Sequence, residues 1–226
     1  MDDNVLQEQL AYYGARAKEY DESIQGIRST NAAQPEFDEA NQEWQNIVNA
    51  LRVLSPIDEV LELACGTGIW TEELINISRS IVAVDGSTEM IEVNRAKHGT
   101  AKIDYQCIDL FQWAPDRQYD LVFFAFWLSH VPPSHLASFL NRVARATKPG
   151  GRIFIVDEPK IDSNISGSNE AGLFQHRVLS DGRSFQIIKV YYDPKEIEQE
   201  LLRQGFKSDS TLIGRSFFSL NLSRAI

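Results

Sequence analysis

From Val60 onward one pattern repeats, and it limits the folds open to the chain more than any other feature. Short apolar runs alternate with stretches of helical spacing. The runs are "VLELA" (60–64), "IVAVD" (81–85), "IDYQCID" (103–109), "YDLVFFAF" (119–126) and "GRIFIVDE" (151–158). Between them lie the helical stretches "TEELINIS", "TEMIEVNRAK" and "PSHLASFLNRVARAT". Strands that are apolar on both faces must be covered on both faces, and strands separated by helices pair in parallel. The pattern therefore predicts an α/β, doubly wound fold. At 226 residues the chain is long enough for one domain with a real core and a small lid.

The rhythm differs on either side of this series. Residues 4 to 29 read as a helix with Val5, Leu6, Leu10, Tyr13, Ala17 and Tyr20 at apolar or aromatic positions. A polar loop with Pro35 follows, then a second helix over 36–54 whose face is Phe37, Trp44, Ile47, Val48 and Leu51. After Glu158 comes the polar loop "PKIDSNISGSN". The stretch "HRVLSDGRSFQIIKVYY" carries Asp181-Gly182 between β-rich flanks, a hairpin signal. "DPKEIEQELLRQGF" is a helix with Pro194 in its first turn and Gly205 at its stop. The end reads as two strands around Gly214 that close the series as an antiparallel pair.

Charge and cysteine content narrow the partners. A formal net charge of -10 argues against nucleic acid or an anionic membrane as the main partner. The start, "MDDNVLQEQL", lacks the basic and apolar regions of a signal peptide, and no apolar run approaches the ~20 residues of a membrane span. Cys65 and Cys107 form no CxxC pair, and no metal triad is visible, so no metal is expected. A reduced, cytoplasmic setting is the simplest expectation.

The chemistry begins at "VLELACGTGIW". A strand, a glycine turn (Gly66-Thr67-Gly68) and a helix mark an adenine-nucleotide site at the carboxyl edge of a doubly wound sheet. Asp85 ends the next strand roughly twenty residues on, where a carboxylate takes ribose hydroxyls. A dinucleotide site wants a third glycine, and here that position is Thr71 behind the bulky Ile69 and Trp70. Glu62, in the strand before the turn, would repel a phosphate and suits a cationic group such as an ammonium. S-adenosylmethionine meets these demands. It has an adenosine without phosphate, an ammonium and a sulfonium.

The chain resembles the class I S-adenosylmethionine-dependent methyltransferases, in particular the small-molecule enzymes similar to the ubiquinone/menaquinone type. The matching residues are "LELACGTG" (61–68), "VAVDGSTEMI" (82–91), "CIDLF" (107–111), "YDLVFFAFWLSHV" (119–131) and "TKPGGRIFIVDE" (147–158). The resemblance implies a mostly parallel seven-stranded sheet with a terminal antiparallel pair. It also implies one methyltransferase domain: a helical lid (1–55), a cofactor-binding core (58–160), an acceptor-side insertion (161–193), and a C-terminal helix and strands (194–226). By the same resemblance Glu62, Ala64, Gly66 and Gly68 line the methionine tail, and Asp85 binds the ribose. Gly86 and Met90 lie against the adenine, Asp109 accepts from its amino group, and the Leu110 N–H meets a ring nitrogen. The Ala125 and Phe126 backbone faces the sulfonium, and Tyr13 and Tyr20 close over the methionine portion.

Methyl transfer from a sulfonium is an in-line displacement in which the protein aligns the acceptor and excludes water. Phe126 and Trp127, at the carboxyl end of the fourth strand, are expected to face the pocket, whereas Phe123 and Phe124 are core. His130 is the candidate general base for a hydroxyl acceptor. Trp127, Glu158 and His176 are candidates for acceptor binding. Nucleic-acid amino methyltransferases carry an Asn/Asp-Pro-Pro-aromatic element after this strand, and Ala125-Phe126-Trp127-Leu128 is not one. The expected partner is a small, partly apolar acceptor, with no nucleic acid and no membrane, and the chain is expected as a monomer or homodimer. Two alternatives remain at this point: a nicotinamide-dependent oxidoreductase and a non-catalytic S-adenosylmethionine-binding protein.

Overall fold

The computed structural model describes residues 3–22, 34–160 and 173–226. In chain order the elements are α1 (Asp3–Arg16), α2 (Gln34–Arg52), β1 (Ile57–Leu63), α3 (Thr71–Ile77), β2 (Ser78–Asp85), α4 (Thr88–His98), β3 (Ile103–Cys107) and β4 (Tyr119–Ala125). A 3-10 turn (Leu128–His130) leads to α5 (Pro133–Ala146), β5 (Thr147–Asp157), the hairpin β6 (Phe174–Val178) and β7 (Ser184–Ile188), α6 (Pro194–Arg203), β8 (Phe206–Ile213) and β9 (Phe218–Arg224). The main sheet has seven strands in the order β3-β2-β1-β4-β5-β9-β8, and β6-β7 form a separate pair. β1 to β5 pair in parallel, and β9 runs antiparallel between β5 and β8.

Strand alternation divides the core cleanly. Leu121 and Phe123 point to one face, where they pack with Trp44, Ile47 and Leu51 of α2 and Leu74 of α3. Val122 and Phe124 point to the other, against Phe139, Leu140 and Val143 of α5 and Ile197 and Leu201 of α6. The continuous apolar runs of β1, β2 and β4 supply both faces at once, which is why they carry so little polar alternation. The chain order turns at β1, with β2 and β3 on one side and β4 and β5 on the other. Such a switch point opens a crevice at the carboxyl ends of the central strands.

Two boundaries differ from the sequence expectation. β5 begins at Thr147 rather than at Gly151, running through "TKPGG" as an irregular start beside a register shift in its pairing with β4. The Gly150 φ of +74°, and a Cβ at Gly151 that would meet the Lys148 carbonyl at 2.9 Å, explain the glycines there. The first helix ends at Arg16, and part of the expected span to residue 29 lies outside the described residues. α1 packs on the hairpin rather than on the sheet, with Tyr12 buried against Leu179 and Ile187. Helix and hairpin together roof the carboxyl edge. Among the described residues no helix is long and apolar enough to cross a membrane.

Candidate functional site

The roof and the sheet edge bound an open cavity with about 700 Å³ of empty space, open solvent included, at the sheet edge where ligands of doubly wound folds bind. Its floor begins where β1 and β4 end. Ala64 (φ +54°) and Phe126 (φ +55°) are the non-glycine residues with left-handed backbone among those described, and both line the cavity. Left-handed geometry at non-glycine residues costs about 1–3 kcal/mol each and collects where backbone must face a ligand. The two central strands are turned sharply at the point where they leave the sheet.

Asp85 fastens the two turns on either side of this floor. Its carboxylate accepts from the Gly66 N–H at 2.9 Å and from the Ser87 N–H at 2.9 Å. Burial raises its pKa, and the backbone hydrogen bonds oppose that rise. Gly86 lies close under the roof: a Cβ there would meet Leu10 Cδ1 at 2.9 Å, and the leucine side chain would have to shift.

A smaller, adjoining cavity lies behind the glycine turn and is lined by Tyr20, Glu62, Trp70 and Phe126 among others. Glu62 is 1% exposed. Burial pushes its pKa up to about 8, against the lowering effect of a hydrogen bond from Thr71. That bond, Thr71 Oγ1 to Glu62 Oε2 at 2.7 Å, shows what stands in place of a third glycine. The threonine orients the acid. Asn94, fully buried on α4, donates to Thr71 Oγ1 (2.9 Å) and to the Gly66 carbonyl (3.3 Å), and accepts from Tyr105 (2.9 Å). A Cβ on Gly68 would lie 2.6 Å from Asn94 Oδ1, so the glycine and the asparagine require each other. Replacing Asn94 by Ala strands several of these groups. The expected result is a loss of about 1–3 kcal/mol of unfolding free energy in denaturant melts.

At the opposite end, His130 is buried under the roof. Its Nδ1 lies 2.7 Å from the Ile188 carbonyl and its Nε2 lies 2.6 Å from the Tyr13 hydroxyl. Desolvation, helped by Lys189, holds its pKa well below the usual imidazole value, while desolvation raises that of Tyr13. Gln9 clamps this corner from α1, donating to the His130 carbonyl (3.3 Å) and accepting from the Ile188 N–H (3.0 Å). The Trp127 indole N–H is buried without a hydrogen-bond partner among the described residues, although the residue lines the cavity.

The large cavity thus gathers Tyr13, Tyr20, Ala64, Gly66, Asp85, Gly86, Met90, Asp109, Leu110, Ala125, Phe126, Trp127 and His130 from distant parts of the sequence. Glu62 lines the smaller one, and Gly68 braces the turn from behind. Two of the residues expected at the acceptor side stand elsewhere. His176 sits on the exposed side of β6, paired in register with Gln186, and does not line the cavity. Glu158 does not line it either, because its carboxylate is bound to the buried Lys189 ammonium, which also donates to Ser129 Oγ at 3.1 Å. Asn94, Gln9, Lys189 and Ile188 were not legible as site residues. Their only signals are a polar residue in an amphipathic helix or a backbone atom in a hairpin.

Comparison with known proteins agrees with this geometry. A family model described as a methyltransferase domain matches residues 60–151. A ubiquinone biosynthesis O-methyltransferase of Coxiella burnetii is 28% identical over 137 residues, covering 52% of this chain and 58% of that protein. The chain thus matches a little over half the length of this relative. Two solved structures are similar throughout. DhpI with SAH is 34% identical with a TM-score of 0.80, covering 100% of this chain and 99% of that one. DhpI with SAM and HEP is 35% identical with a TM-score of 0.81, covering 99% of each chain. With such a relative aligned from end to end, and the switch-point crevice built from the expected strands, the chain belongs to the class I S-adenosylmethionine-dependent methyltransferases.

Proposed function

We propose that the chain transfers a methyl group from S-adenosylmethionine to a small hydroxylated acceptor by in-line displacement. The observation that carries this reading is His130. A carbonyl oxygen can only accept, so the Ile188 contact places the ring hydrogen on Nδ1 and leaves Nε2 as a base, held against the hydroxyl of Tyr13 in the cavity lining. A preformed enolate or neutral amine would not call for that base, whereas a hydroxyl would.

The residues present fit the cofactor. Asp85 takes the ribose hydroxyls while its remaining bonds hold Gly66 and Ser87. Glu62 pairs with the methionine ammonium, and Ala64, Gly66 and Gly68 shape the turn around the tail. Gly86 and Met90 pack on the adenine, with Asp109 and the Leu110 N–H on its edge. Ala125 and Phe126 face the sulfur, and Tyr13 and Tyr20 close the roof. Trp127, whose side chain lines the cavity beside Phe126, packs against the acceptor. The cofactor, when bound, supplies a methyl group already activated on a sulfonium. The chain's own work is to bind, align, exclude water and remove one proton.

A thermal-shift assay tests the cofactor choice. S-adenosylhomocysteine at a hundred times its dissociation constant should stabilise the fold by about 2.7 kcal/mol, while NAD(H) leaves the melt unchanged. The reverse result sinks the assignment. Incubation with isotope-labelled cofactor and a panel of small hydroxy acids, phenols, alcohols and amines, read by mass spectrometry, tests the acceptor class. Label on nitrogen compounds alone would refute the hydroxyl reading.

A further inference from the structure

We propose that Tyr13 is a catalytic residue of this enzyme: its hydroxyl takes the acceptor's proton while its own proton passes to Nε2 of His130. The inference rests on the reading of the acceptor as a hydroxyl and deepens it by naming the group the acceptor meets.

The hydrogen-bond directions follow from chemistry. Ile188 offers a carbonyl to Nδ1 at 2.7 Å, so Nδ1 carries the hydrogen of a neutral ring. Nε2 is then a bare lone pair, and the Tyr13 hydroxyl 2.6 Å away must be its donor. Two consequences follow. The only basic atom of the imidazole is already engaged, so an acceptor hydroxyl does not reach it directly. The phenol oxygen has spent its single proton on the ring, and among the described residues it makes no other hydrogen bond. Its lone pairs are left for the cavity, which Tyr13 lines beside Ala125, Phe126 and Trp127.

The device is assembled from three separate pieces. Tyr13 comes from α1, His130 from the turn after β4, and the Ile188 carbonyl from the end of β7. Gln9 fixes their relation by bonding to the His130 carbonyl and the Ile188 N–H together. Only a closed roof makes His130 a base of defined tautomer, so proton removal is confined to the closed, dry site.

Atoms and charge balance as follows. The acceptor oxygen's lone pair forms the new C–O bond, and the S–CH3 bonding pair stays on sulfur as a neutral thioether. The acceptor proton moves to the Tyr13 oxygen, and the Tyr13 proton moves to Nε2. One cation, the sulfonium, is present before the step and one, the imidazolium, after it. The net charge of the enclosed site does not change. Burial disfavours both a free phenolate at Tyr13 and a free imidazolium at His130. The surrounding charges add to this. Arg16 on α1, Arg177 on β6 and Lys189 after β7 all act against a second cation at His130 while the sulfonium is present. Those three charges stay, but the sulfonium's own repulsion disappears as the methyl group leaves, so the two proton movements must accompany methyl transfer rather than precede it.

The test uses full-length protein and a hydroxyl compound that the wild type methylates, with Tyr13→Phe, His130→Gln and the double variant. Each single variant should lose about a hundredfold in kcat, the lower end of general-base effects. KM and the dissociation constant for S-adenosylhomocysteine should stay within about threefold. The double variant should be no slower than the slower single, because the two residues act as one unit. A solvent deuterium isotope effect on single-turnover methylation should be present in the wild type and absent in Tyr13→Phe. Retention of a third of kcat by Tyr13→Phe, or multiplicative losses in the double variant, overturns the relay alone. An equal loss of kcat and of S-adenosylhomocysteine affinity in Tyr13→Phe overturns it too, making Tyr13 a cofactor contact. A wild type that binds S-adenosylhomocysteine but methylates no hydroxyl compound overturns the acceptor reading, and the relay falls with it.

Discussion

Asp85→Ala should raise the dissociation constant for S-adenosylhomocysteine about a thousandfold in isothermal titration calorimetry. Two ribose hydroxyls donating to one carboxylate are charge-assisted bonds of about 1.5–3 kcal/mol each, and about 4 kcal/mol in total corresponds to that factor. The effect has a second source inside the protein. The same carboxylate holds the Gly66 and Ser87 N–H groups at 2.9 Å, so it sets the positions of the glycine turn and of the turn into α4. The alanine variant leaves both N–H groups without their partner and should also melt at a lower temperature. Asp85→Asn separates the two roles. Its amide oxygen can keep one N–H but cannot serve two donors and two hydroxyls, so its affinity should fall between those of wild type and Asp85→Ala. Wild-type affinity in a folded Asp85→Ala variant would remove Asp85 from the site.

The sequence was most informative where chemistry and periodicity point the same way. Phe123 and Phe124 are indistinguishable in composition from Phe126 and Trp127, yet the former are fully buried core and the latter line the cavity. Position at the carboxyl end of β4, which stops at Ala125, separates them, whereas alternation only sends the members of each pair to opposite faces. Thr71 was legible only as a missing glycine, and its positive role, a hydrogen bond to Glu62, needed the packed structure. The roof was beyond local reasoning. Gln9 and Ile188 are 179 residues apart, and neither carries a motif. His176 fell outside the cavity for a related reason. A hairpin signal gives the turn at Asp181-Gly182 but not which face of β6 turns to the sheet, and a shift of one residue reverses every side chain. Glu158 lies beside the expected site in sequence, but the buried Lys189 claims its carboxylate. Long-range partners decide such cases, and local pattern does not name them.

Glu62→Gln should weaken S-adenosylhomocysteine binding several hundredfold at pH 8 and should also abolish most of its pH dependence. Breaking one side of a buried ion pair costs about 3–5 kcal/mol, and the amide can still accept from Thr71, so the loss reports the charge. The pH dependence follows from the pKa of about 8 that burial gives this acid in the free protein. Below pH 8 the free protein holds a proton on Glu62. An ammonium ligand favours the carboxylate, so binding releases that proton and is favoured by raising the pH. Wild-type affinity should fall about fiftyfold between pH 8 and pH 6 and level off above pH 8. The stability of the free fold carries the opposite sign. An acid that ionises near 4.5 in the unfolded chain but near 8 in the fold removes stability as the pH rises through that window. Calorimetry in buffers of different ionisation enthalpy reads the released proton directly, and the Glu62→Gln series subtracts the ligand's own titration. An affinity that is flat from pH 6 to 8 in the wild type, or a slope shared equally by the variant, would mean that the buried acid meets no ammonium. Its place before the glycine turn would then be purely structural, a carboxyl held neutral by its burial and oriented by Thr71.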